Sequence, residues 1–108
     1  MARHLLIGVM LALMIATAGA DENEGKAVFQ RWCVHCHGDQ PSAPGRLRLV
    51  WNRGEEFSRL AQRHDLDAAT IARVVRHGQL EMPALRKTEL CDIELATLIQ
   101  YLTRKTLP

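Results

Sequence analysis

Cys33-Val34-His35-Cys36-His37 is the stretch on which the reading of this chain turns. The pattern C-x-x-C-H has a mechanical meaning. Two thiols three positions apart can each form a thioether with a haem vinyl group, and the histidine that follows then lies beneath the iron with an imidazole nitrogen aimed at it. A redox dithiol expects a βαβ setting, and a structural zinc site expects a second pair of ligands; the sequence offers neither. The motif therefore predicts one covalent haem c, attached through Cys33 and Cys36 and ligated by His37. His35 occupies a variable position of the motif and has no assigned role.

Upstream of the motif, Met1 to Ala20 reads as a secretory signal. Arg3 and His4 form its basic start, Leu5 to Ile15 its apolar core, and Ala18-Gly19-Ala20 a small-residue cleavage site. The expectation is cleavage after Ala20, a periplasmic destination, and one domain over residues 21–108. The apolar stretch is shorter than the roughly 20 residues needed to cross hydrocarbon, so no stable membrane anchor is expected. The chain carries 14 basic and 12 acidic side chains. That near-balance argues against nucleic acid as a partner and against strong whole-molecule steering, which leaves partner choice to local patches. A domain this small gains only marginal stability from its own core, and a large apolar cofactor would supply what is missing.

A haem iron held by one histidine usually takes a second axial ligand, and methionine is the ligand that raises the reduction potential. Of the four methionines, Met1, Met10 and Met14 fall in the signal, which leaves Met82. It precedes Pro83 in a segment with little regular-structure signal, and a loop is what a distal ligand needs to approach the face opposite His37. His64 beside Arg63 and Asp65, and His77 beside Arg76, lie in charged surroundings and read as surface histidines.

The hydrophobic spacing predicts helices. Gly25, Val28, Phe29 and Trp32 follow the i, i+3, i+4, i+7 pattern in a helix from about Asn23 into the attachment motif. A second helix is signalled by Asp67 as N-cap, Leu66 and Ile71 as a hydrophobic staple, apolar Val74 and Val75, and Gly78 as terminator. A third begins at Cys91, with Glu94 at the capping-box position, Leu90 facing Leu95 as a staple, and Leu95, Leu98 and Leu102 as a buried stripe with Tyr101 at its edge. No segment alternates as a strand, so an all-α domain with three main helices is expected.

These residues resemble class I cytochromes c over nearly the whole of 21–108. Gly25, Phe29 and Tyr101 match the crossing of the first and last helices in that family, Cys33, Cys36 and His37 its attachment site, and Met82 its distal ligand. The resemblance implies a cytochrome c fold, export before haem attachment, and a proline carbonyl against the second nitrogen of the proximal histidine. Pro44, followed by Gly45, is similar to that proline, with Pro41 as the alternative. It also implies that the stretch carrying Arg46, Arg48, Trp51 and Arg53 wraps the propionate edge. There, Arg46 and the Trp51 indole would donate to carboxylates, the other reading being a solvated basic loop. The segment from Leu66 to Met82 looks most like small bacterial cytochromes, including cytochrome subunits of periplasmic flavin or quinone-cofactor dehydrogenases.

An iron ligated by His37 and Met82 leaves no position for substrate, so the expected function is single-electron transfer between a redox protein donor and acceptor, with no catalytic residues. The rival readings are a fixed subunit accepting electrons from a flavoprotein dehydrogenase, and a haem enzyme or gas sensor with a labile sixth ligand. Arg86 and Lys87 could ring the exposed haem edge and guide an acidic partner. Cys91 has no thiol partner if the other two cysteines carry thioethers; it reads as a local cap or small buried residue, with an intermolecular disulfide as the other reading.

Overall fold

The computed structural model describes residues 18–104. The basic start and apolar core of the expected signal, with Met1, Met10 and Met14, lie outside the described residues. The elements are α1 (Ala18–Trp32), α2 (Val34–His37), α3 (Pro44–Arg53), two short 3-10 turns at Glu55–Phe57 and Leu60–Gln62, α4 (Ala68–His77) and α5 (Asp92–Thr103). Among the described residues there is no strand, only an isolated bridge between Gln79 and Met82. The all-α expectation holds.

The frame is the crossing of α1 over α5. A Cβ added at Gly25 would run into the Thr97 carbonyl and come within 2.6 Å of the Tyr101 Cβ, so only glycine lets the two backbones approach this closely. Four residues on, Phe29 meets Tyr101 with ring centroids 5.9 Å apart and planes tilted by 49°, a favoured aromatic arrangement. Val28, Phe29, Leu95, Leu98, Tyr101 and Leu102 are buried at this crossing, joined by Ile71 and Val75 from α4 and by Leu90. Tyr101 is thus part of the core and more than its edge, whereas Val74 is only half-buried.

The caps follow the expected chemistry. Asp67 Oδ1 accepts from the Thr70 N–H at 2.8 Å and Oδ2 from the Thr70 hydroxyl at 2.7 Å, satisfying an otherwise orphaned donor at the start of α4. These bonds, the backbone one first, hold the Asp67 carboxyl below its ordinary range. Gly78 ends α4 with φ +71°, its N–H donating to the Val74 carbonyl at 2.8 Å. At α5, Glu94 accepts from the Cys91 N–H at 3.0 Å, and that bond is the main reason its carboxyl is held low.

The difference from expectation is α3. The sequence reading treats 44–53 as a loop around the cofactor, and the structure makes it ten residues of helix. Pro44 at the first helical position has its φ already set and lacks an N–H that would have gone unpaired there. Arginine and leucine in the following turn are good helix formers. Leu47, Val50 and Trp51 carry the i, i+3, i+4 spacing that would have revealed it, and Gly54, at φ +107°, supplies the stop.

Candidate functional site

The backbone runs from α1 into the attachment motif with little break. The Cys33 N–H donates to the Phe29 carbonyl at 2.9 Å and the His37 N–H to the Cys33 carbonyl at 2.8 Å. Cys33, Cys36 and His37 therefore stand at i, i+3 and i+4 of a helical turn and share one of its faces. Neither thiol is bridged. Cys33 is half-buried, and burial first, then the neighbouring Cys36, raises its thiol to about 11. It is held as a neutral thiol. Burial also lowers the pKa of His37, which favours the neutral imidazole, the form that can ligate a metal.

Two buried side-chain polar atoms among the described residues lack a hydrogen-bond partner, and they bracket the motif: Trp32 Nε1 just before it and His37 Nδ1 at its end. The expected bond from His37 Nδ1 to the Pro44 carbonyl is not made, nor one to Pro41. Pro44 opens α3, so its carbonyl is directed along that helix toward the N–H four residues on. The residue that meets the imidazole is Gly45. A Cβ there would lie 2.8 Å from His37 Cε1 and 3.0 Å from Nδ1, so α3 packs its first turn directly on the ring.

Arg46 anchors this contact. Its side chain is 8% exposed, donates to the Asp39 carbonyl, and pairs with Glu55 Oε1 at 2.7 Å. The fully buried Ser58 hydroxyl donates to the Glu55 carbonyl at 2.7 Å. The guanidinium keeps the Glu55 carboxyl below its usual range. Arg46 thereby ties the loop after His37 to the far end of α3, a role that sequence reasoning missed because it depends on which backbone carbonyl lies nearby. Trp51, on the same helix, is 74% exposed.

A cavity of about 340 Å³ adjoins His37, walled on its apolar side by Phe29, Val34, Leu60, Ala61 and Tyr101 and on its polar side by Lys26, Gln30, Asp39 and Arg59. Met82 is half-buried and packs against the central apolar cluster. It closes a tight turn in which Gln79 and Met82 exchange N–H to carbonyl bonds at 3.0 Å each. Leu80 within that turn is exposed with φ 52°, a left-handed conformation unusual for leucine. Glu81 pairs with Arg48 at 2.6 Å, joining the turn to α3. His35, His64 and His77 are exposed. Arg86 and Lys87 are exposed but paired, with Glu89 at 3.5 Å and Asp92 at 3.0 Å, so neither is a free positive charge. Cys91 is exposed and unbridged, which excludes the reading of it as a small buried residue.

Among the described residues no cluster of three or more His, Cys, Asp or Glu side chains could hold a metal ion by itself, and no helix is long and apolar enough to cross a membrane. The donors instead suit a porphyrin: two unbridged thiols and an imidazole on one helical face, a cavity beside the imidazole, and the Met82 thioether in a turn packed on the core. The fold and these residues define a small class I c-type cytochrome, a haem-binding electron-transfer protein. The chain belongs to the family described as cytochrome c oxidase, cbb3-type, subunit III, whose model matches residues 20–102. Neither a curated protein nor a solved structure matches it.

Proposed function

We propose that this protein is an exported single-electron carrier with one haem held by thioethers from Cys33 and Cys36 and ligated by His37 and Met82. The observation that carries the reading is the half-buried His37 imidazole on the same face of one helical turn as two unbridged thiols. When bound, the haem supplies a one-electron iron couple. The chain's own residues do the rest. Gly45 seats the imidazole, because the absence of a Cβ lets the first turn of α3 pack directly on the ring. Phe29, Leu98 and Tyr101 are buried and form the apolar support behind the site, and a thioether ligand favours the ferrous state. Residues 21–108 are the mature chain in this reading, acting in the periplasm after cleavage behind Ala20.

The test is an optical and redox titration of the purified holoprotein. A thioether-to-iron charge-transfer band in the ferric spectrum, lost in Met82→Ala together with a large fall in midpoint potential, supports the ligation. Identical spectra and potentials for the two proteins would sink it. The family description, an oxidase subunit, favours a second reading in which the chain is a fixed electron-accepting subunit of a larger oxidoreductase, whether an oxidase or a flavin- or quinone-cofactor dehydrogenase. Co-purification in constant stoichiometry distinguishes that from a free shuttle.

A further inference from the structure

The segment that carries Met82 belongs to no helix or sheet, so a small number of identifiable bonds sets its shape. At its start, Gly78 lies so close to the strap that an added Cβ would come within 2.6 Å of the Met82 carbonyl, and the Gln79–Met82 turn follows at once. At its end, the Leu85 N–H donates to the Val75 carbonyl at 2.8 Å, and the Glu89 and Leu90 N–H groups both use the Arg86 carbonyl at 2.9 Å. Neither the Leu85 nor the Leu90 carbonyl takes part in these backbone bonds. A single side chain takes both: Arg76 Nη1 donates to Leu85 at 3.1 Å and to Leu90 at 2.7 Å, while Nη2 donates to Asp92 Oδ1 at 2.8 Å. The Arg76 side chain is 16% exposed. One partly buried guanidinium on α4 thus holds the return segment at two points after Met82, Leu85 and Leu90, together with the first residue of α5.

We infer that Arg76 is the positioning residue that keeps the Met82 strap closed and so decides how readily an external ligand can displace the thioether. The inference rests on the proposed ligation by Met82. Opening the strap breaks two charge-assisted bonds to carbonyls and one to a carboxylate, and leaves the partly buried groups unpaired, which is the costly outcome for such groups. The planar fork of arginine is what lets one residue reach three acceptors; a lysine ammonium has the charge without the geometry. Asp92 is also held by Lys87, so removing its charge weakens the clasp less than removing the guanidinium.

The experiment uses ferric holoprotein: the wild type, Arg76→Gln, Arg76→Lys and Asp92→Asn are titrated with imidazole as the external ligand, with backbone hydrogen exchange followed in parallel. Since apparent affinity scales with the population of the open form, Arg76→Gln is expected to bind imidazole about tenfold more tightly. Its thioether band should weaken, and exchange should rise over residues 79–90 while α1 and α5 stay protected. Arg76→Lys should fall between it and the wild type, and carries the test alone if the glutamine variant fails to accumulate. Asp92→Asn should change affinity by less than about threefold. Unchanged imidazole affinity with an intact band overturns the inference alone, as does exchange that rises equally over α1 and α5, which is the signature of a merely structural role. A wild-type spectrum without the thioether band overturns the Met82 ligation, and this inference with it.

Discussion

The two sides of the site are built in opposite ways. On the attachment side, Cys33, Cys36 and His37 are placed by consecutive backbone bonds within one helical run, and the crossing of α1 and α5 braces that run from behind. On the Met82 side the backbone is irregular, and side chains from other elements hold it: Arg76 from α4, Arg48 from α3, and the acidic end of α5 through Asp92 and Lys87. A ligand set by helical geometry and braced by the core stays in place as long as that core is packed. A ligand set by side-chain clasps can be released without unfolding, because local opening draws on weakly held segments first.

That contrast can be broken most severely at the motif. Replacing Cys33 and Cys36 by alanine is expected to abolish covalent haem, read as loss of haem stain after denaturing electrophoresis, with little holoprotein accumulating. Next in size are changes to the brace. Leu98, 1% exposed at the crossing, should cost about 2–5 kcal/mol when cut to alanine, measured by chemical denaturation. Gly25→Val should cost about 3 kcal/mol or prevent accumulation, since the added atoms overlap the α5 backbone and overpacking is destabilising.

A change confined to the strap should behave differently. Gly78→Ala places a side chain on a residue at φ +71° and against the Met82 carbonyl, with a conformational cost of about 1–2 kcal/mol. The expected result is a weakened thioether band with the attachment intact, so ligand spectrum and haem stain respond separately. If Gly78→Ala and Gly25→Ala perturb the band and the denaturation midpoint in the same proportion, the two-sided picture is wrong.

The smallest effect concerns acid. The Asp67 and Glu94 carboxyls are held low by backbone N–H groups at the starts of α4 and α5. Their folded-state values lie below the unfolded ones, so the stability they contribute is present above the ordinary carboxylate range and is lost as pH falls through that range to the depressed values. In Asp67→Asn, whose amide can still cap but cannot titrate, the denaturation midpoint should fall less steeply between about pH 5 and pH 3 than in the wild type.

Much of this was legible in the chain. Asp67, Gly78, Glu94 and the Leu90–Leu95 pair mark helix ends by local chemistry, and the structure puts each at the predicted boundary. Gly25, Phe29 and Tyr101 meet where the periodicity and the family resemblance placed them. The same logic fails at 44–53, where Arg46, Arg48 and Arg53 interrupt the apolar pattern of Leu47, Val50 and Trp51 and the stretch reads as a cofactor-wrapping loop. It also fails for Arg46 and Arg76. Each is one arginine among many in the sequence, and each acquires its role from backbone carbonyls, at Asp39, Leu85 and Leu90, that carry no sequence signal.

The attachment pentapeptide, the three principal helices and the candidate distal methionine were determined by the sequence alone, since spacing along a helix and capping chemistry act over four or five residues. What only the tertiary structure decided was which groups are left unpaired and which are clasped. His37 Nδ1 against Gly45, Arg46 across the Asp39–Glu55 gap, and Arg76 over the strap all depend on distant backbone brought together by the burial of one core. Hydrogen-bond partners of that kind are fixed by packing, and packing is a property of the whole chain.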